Sequence, residues 1–272
     1  MWGVLALSLL SLNAYKLFSL LLLIASVVLG VANGVIDWPA FGLFTIVGLL
    51  YWLKVKWAQK SWCRIVTESC LVVLSVVLLY HFWPGFHNPV VLNSVITGPF
   101  STPYTMYFNF DKAMVPFLLV LSFPRLFKSD FRYEVSYGMW ALLFLSVPFI
   151  LVLAVLLGGI KPEAHFPEWL PKFILSNLFF VSLAEEAFFR GYLQQRLSMI
   201  VHPFVALFIA SVLFGLYHYS GGLLLVLFAM LSGVIYGMAW MFSGRLWVAT
   251  FFHFGLNLCH LLFFTYPFLK NH

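Results

Sequence analysis

The stretch FILSNLFFVSLAEEAFFRGYLQQRLSMI, residues 173–200, sets Glu185, Glu186 and Arg190 in the middle of a run otherwise apolar enough to cross a bilayer. A charge held in mid-membrane costs about 2.5 to 3.5 kcal/mol on insertion scales, so it is retained chiefly as one of a pair or for a job. The stretch therefore reads as a transmembrane helix that carries chemistry. Glu186 and Arg190 stand at i and i+4, acid before base, where an ion pair forms on one helix face. Glu185 points about 100° away. It is free of that partner and can face a cavity.

The surrounding chain agrees. Its 272 residues are 63% hydrophobic and 9% charged, where a soluble domain carries about 25% charged residues, and the mean hydropathy is +0.99. The charges are bunched, leaving runs near the roughly 20 residues of helix that a hydrocarbon core requires. The expected fold is all-α, a polytopic transmembrane helical bundle of nine spans, or eight. They lie near 15–35, 38–53, 65–83, 113–127, 137–158, 173–198, 203–219, 222–243 and 246–266. The opening MWGVLALSLLSLNAYKLF has no basic region before its apolar stretch and no small-residue cleavage site, so it reads as part of a retained first span. Cys63, Cys70 and Cys259 lie in apolar stretches without pairing or ligand spacing, which excludes a disulfide scaffold and a zinc ribbon.

The net charge of +6 comes from Lys and Arg in short loops, a topology bias rather than a nucleic-acid surface. Lys16, Lys54, Lys56, Lys60, Arg64, Arg125, Lys128, Arg132, Arg196 and Arg245 fall on one side, and Lys112, Lys161, Lys172 and Lys270 on the other. That excess predicts a cytoplasmic N-terminus. The long polar loop 84–112 then faces away from the cytoplasm, with Asp111 and Lys112 marking a membrane edge and no chemistry of its own. Residues 1–135 read as an N-terminal transmembrane region of unknown role, apolar apart from Glu68 near a span end, and 137–266 as the region that carries the chemistry.

Two further polar islands lie in that second region: FGLYHYSGG, with Phe214 and His218, and FFHFGLNL, with His253 and Asn257 at i and i+4. Counted from the turn near 201 at about 1.5 Å per residue, Glu185 and His218 both stand roughly 24 to 26 Å up an antiparallel hairpin. Modest tilt brings His253 and Asn257 into the same layer. Each group has a plainer reading: a structural ion pair, a helix-to-helix hydrogen bond, or part of a proton relay in a scaffold or transporter. A tandem Glu with two His and an Asn at matched depth on three helices exceeds what packing requires. A carboxylate in a dry pocket serves as a general base, a neighbouring His helps it hold water, and a second His with Asn can receive the charge of a tetrahedral intermediate. Those parts suit water attack on a carbonyl.

EExxxR (Glu185 to Arg190), FxxxH (Phe214 to His218) and HxxxN (His253 to Asn257), in that order, resemble the three signature motifs of the CPBP or Abi family of intramembrane proteases, which includes the type II CAAX prenyl proteases. The resemblance covers roughly 137–266. It implies a glutamate-dependent endopeptidase in which Glu185 activates water and His218 helps to hold it. His253 with Asn257 then stabilises the oxyanion, and Glu186, Arg190 and Phe214 support the site. It implies no cofactor, a membrane-embedded or lipidated protein or peptide as substrate, CAAX-type prenylation being one form, and the lipid bilayer as the other partner. The alternative catalyst is zinc on Glu185, His218 and His253, although no two of these stand one turn apart on one helix as in HExxH. Brevity and the lack of a soluble domain suggest a prokaryotic inner-membrane protein.

Overall fold

The computed structural model describes residues 1–129 and 132–270. Ten helices follow in chain order: α1 (Trp2–Ser11), α2 (Lys16–Ala32), α3 (Trp38–Lys56), α4 (Ser61–Leu79), α5 (Phe110–Ser122), α6 (Tyr137–Leu156), α7, α8 (Pro203–Tyr217), α9 (Leu223–Ser243) and α10 (Leu246–Phe263). Helix α7 is continuous but changes pitch. It runs as α over Leu170–Leu175, π over Ser176–Ser182, α over Leu183–Glu186, π over Ala187–Gln194 and α over Gln195–Leu197. Such wide turns cluster at functional sites. The all-α bundle has one β exception, an antiparallel hairpin of β1 (Val90–Val95) and β2 (Tyr104–Tyr107) within the long polar loop.

Local sequence explains the boundaries. Ser136 caps α6 by accepting from Met139 N at 3.3 Å, and α8 starts on Pro203, whose missing N–H is no loss there. Helix α9 stops at Gly244, whose φ of 65° is a left-handed value that glycine adopts freely. Helices α3, α4, α6, α9 and α10 are long and apolar enough to cross a membrane, whereas α1, α2 and α8 are apolar but shorter. Five helices, rather than eight or nine, meet that measure among the described residues.

Two expected spans are redrawn. The opening residues form their own helix, α1, which folds back on α2 as a hairpin. There Ser8 Oγ donates to Ser19 O at 2.6 Å and Ser19 Oγ donates to Ser8 O at 2.7 Å. The stretch expected as a span over 113–127 is a 13-residue helix, α5, buried along nearly its whole length. It is enclosed by protein, packed on α4 and on both the α-helical and π-helical parts of α7. One apolar core joins the two halves of the chain, with Leu5, Leu71, Phe110 and Leu118 packed in the same cluster as Phe173, Phe180 and Trp240. A second core holds α6, α8 and α9 together around Leu151, Phe189, Phe214 and Tyr236. At one end, the segment after β1 is tied down by Glu163, which accepts from Phe100 N at 2.9 Å and from the Ser101 hydroxyl. The chain after α10 joins the same tie, Tyr266 N donating to Ser101 Oγ at 2.9 Å.

Candidate active site

Helix α7 carries both carboxylates on the short α-helical turn between its two π-helical stretches, and both are buried. Glu186 Oε1 accepts from Arg190 Nη1 at 2.7 Å and stands 2.9 Å from His253 Nδ1 on α10. Both members of the Glu186–Arg190 pair are wholly withdrawn from solvent. The guanidinium is enclosed as well: Nη2 donates to Gly233 O at 3.1 Å, and the Phe214 ring lies 4.4 Å from it. The backbone of α9 approaches so closely here that a side chain at Gly233 would meet Arg190 Nη2 at 3.1 Å. Phe214 thus touches Arg190 and also packs edge-on against His218 and His253, at centroid distances of 4.7 and 5.7 Å.

Glu185 lies on the other side of the helix. Its Oε2 is buried without a hydrogen-bond partner and stands 4.0 Å from His218 Nε2 at the end of α8. His218 Nδ1 is 2.9 Å from Phe214 O. A carbonyl only accepts, so Nδ1 carries the proton, and in a neutral ring Nε2 presents a lone pair toward Glu185. His253 stacks flat on Tyr236 of α9, with centroids 4.7 Å apart and planes 10° from parallel. Asn257, one turn along α10, donates Nδ2 to Asn177 Oδ1 at 3.2 Å, and the Ser182 hydroxyl donates to the same oxygen at 3.2 Å.

Glu185, His218, His253 and Asn257, with Asn177 and Tyr236, line one cavity of about 460 Å³. Most of the rest of its wall is apolar, from Ile150 and Leu151 of α6, Leu225 and Phe228 of α9 and Leu256 of α10, with Ser232 and His260 adding polar groups. Its other end lies beneath Tyr104, Tyr266 and Phe268, in the tied-down segments. All seven residues singled out in the three motifs therefore meet around this cavity or directly behind it. Asn177, Ser182 and Tyr236 were not among them. Asn177 carried a signal, as an amide within the apolar run 173–200, whereas a tyrosine in a hydrophobic span carries none.

One expectation is corrected. Glu185 is free of Arg190 but has its own cation: Lys112 Nζ, at the start of α5, donates to Glu185 Oε1 at 3.1 Å. Lys112 thus points into the site instead of marking a membrane edge, and the loop expected to lack chemistry delivers it. Glu68 likewise makes a link between helices, accepting from Tyr192 Oη and from Arg196 Nε at 2.8 and 2.7 Å. Among the described residues no three His, Cys, Asp or Glu side chains are placed to hold a metal ion. The Lys112 ammonium already occupies one oxygen of the carboxylate that would ligate it.

Membrane-length apolar helices around a buried carboxylate, imidazole and carboxamide cluster on a cavity wall are the features of a polytopic membrane protein. Residues 167–259 match the family model of the type II CAAX prenyl endopeptidases, Rce1-like, and this match supports placing that segment with the CPBP, or CAAX protease, family. The matched segment and the membrane-length apolar helices support an integral membrane protease of the CAAX type. The matched segment contains Glu185, Glu186, Arg190, Phe214, His218, His253 and Asn257 and excludes Lys112. No curated protein and no solved structure matches the chain.

Proposed function

We propose that the protein is an intramembrane glutamic endopeptidase that hydrolyses a peptide bond of a membrane-embedded or lipidated protein or peptide. The observation that carries this reading is the unpartnered Glu185 Oε2, buried at the cavity wall 4.0 Å from His218 Nε2. Both atoms are acceptors when His218 is neutral, and a water has two protons to give. A water at about 2.8 Å from each would subtend an angle near 90°, close to its own bond angle. One of its lone pairs is then turned toward a carbonyl in the cavity. Glu185 takes the proton as attack proceeds and returns it to the leaving amine.

Charge develops on the carbonyl oxygen, and His253 Nε2 and Asn257 Nδ2 are the donors on that wall. His253 already gives its Nδ1 proton to Glu186, so it donates from Nε2 only while both ring nitrogens are protonated. Glu186 and Arg190 hold that ring in place from behind. Asn257 Nδ2 gives one proton to Asn177 and keeps a second for the oxyanion. Residues 1–135 would form an N-terminal transmembrane region that shares its core with the rest of the chain. The lysine and arginine distribution supports a cytoplasmic N-terminus.

The test compares wild type with Glu185→Gln, which keeps the shape of the side chain and removes the base, in matched membranes. Peptides released from a candidate substrate library are the readout. Release by wild type and loss by at least about a hundredfold in the variant are expected. Equal profiles from equally folded proteins would leave a scaffold or transporter instead. Inhibition by phenanthroline reversed only by zinc would replace the glutamate mechanism with a metal one.

A further inference from the structure

We infer that Lys112, from the part of the chain outside the family match, is a positioning residue of the active site: its ammonium holds Glu185 Oε1 and so aims Oε2 at His218 and the cavity. The inference rests on the proposed role of Glu185 and extends it. A glutamate carboxylate rotates about its last bond with little preference. Within this cavity it could turn either oxygen toward His218 or His253. Lys112 removes that freedom, because Nζ takes one oxygen at 3.1 Å and leaves the other without a partner.

The lysine is itself braced. Its side chain is only 11% exposed, and Nζ lies 5.5 Å from the centroid of Tyr217, whose hydroxyl donates to Leu79 O at 3.0 Å. The turn that starts α5 is equally constrained. Asn88 Oδ1 accepts from Phe110 N at 2.9 Å, and Asp111 Oδ1 accepts from Asn88 Nδ2 at 2.9 Å and from Lys112 N at 2.8 Å. Charge accounting points the same way. Glu185 pairs with Lys112 and Glu186 with Arg190, one fixed cation to each buried carboxylate. Without it one buried carboxylate lacks a counter-charge, a costly arrangement in a low-dielectric interior.

A purely structural ion pair would show itself in folding alone, so the test separates kcat from KM and from stability. Lys112→Met, Lys112→Arg and Glu185→Gln are assayed beside wild type in the same membranes, with rates normalised to folded protein. Lys112→Met is expected to lose at least about tenfold in kcat with KM nearly unchanged, because misaimed water affects the transition state rather than binding. Lys112→Arg, which keeps a cation at Oε1, should recover most of that loss. Wild-type kcat in folded Lys112→Met overturns the inference, even if its melting temperature drops. Should Lys112→Met fail to accumulate, Lys112→Arg decides: substantial kcat at normal KM supports the role, and a folded protein as inactive as Glu185→Gln refutes it. A Glu185→Gln protein with full activity would remove the glutamate mechanism itself. Loss in Glu185→Gln with full activity in Lys112→Met would remove only the lysine.

Discussion

Arg190 shows how much one side chain in this bundle must satisfy. It is fully buried, paired with Glu186, bonded to Gly233 O and covered by the rings of Phe214 and Tyr236. Arg190→Ala would leave the Glu186 carboxylate buried with His253 as its remaining partner, a change that costs on the order of 3 to 5 kcal/mol for a fully buried pair. Thermal melting in detergent should fall accordingly, and activity with it; wild-type melting would show that the pair is hydrated. The i, i+4 spacing made this contact visible in the sequence, because both partners lie on one helix. The motif spacings likewise gave the neighbours His253 and Asn257. Lys112 was invisible for the opposite reason. It lies 73 residues from Glu185, and a lysine at the end of a polar loop looks like any charge at a membrane boundary.

Among the elements, helices α8 and α9 come closest together, and a glycine makes this possible. A side chain at Gly215 would meet Val226 O at 2.7 Å and Met230 Cβ at 2.9 Å, and the first of these is backbone that cannot turn aside. Gly215 stands three residues before His218, so Gly215→Ala would push α8 off α9 and carry the imidazole with it. The expected cost is about 1 to 3 kcal/mol of stability. A loss of kcat beyond the loss of folded protein should accompany it. Equal kcat per folded molecule would show that His218 tolerates displacement. Hydropathy located these two helices within a few residues, since it measures apolarity along the chain. It said nothing of the π-helical pitch of α7, which depends on how the helix is packed. It also took α5 for a span, because a helix buried in protein and one buried in lipid are equally apolar.

Across the whole molecule, Tyr104 of β2 and Tyr266 and Phe268 after α10 line the cavity at the end where the segments following β1 and α10 are tied together. Taking Lys112 out of the boundary count leaves Lys161, Lys172 and Lys270 at that end against ten basic residues at the other. The charge asymmetry therefore grows. Asn93 and Gln59 are both exposed, at opposite ends of the bundle. Asn93→Cys should react with a membrane-impermeant maleimide on intact cells, and Gln59→Cys only after permeabilisation. The reverse pattern would invert the protein. The result also bears on the substrate: a prenylated tail made in the cytoplasm meets this cavity directly only in the inverted arrangement.

The enclosure of α5 has a consequence for how the protein is made. A chain emerges N-terminus first, so Lys112 leaves the ribosome 73 residues ahead of the carboxylate it will meet. At that moment α5 is a 13-residue apolar segment with Pro116 inside it and an unmatched ammonium at its start. It is too short to span the roughly 30 Å core alone. The insertion machinery has little reason to pass it to the lipid. It can wait at the membrane surface until α7 has been delivered, and then move inward along that helix as the ion pair closes. Biogenesis would thus run out of chain order, with an early helix seated only after a later one.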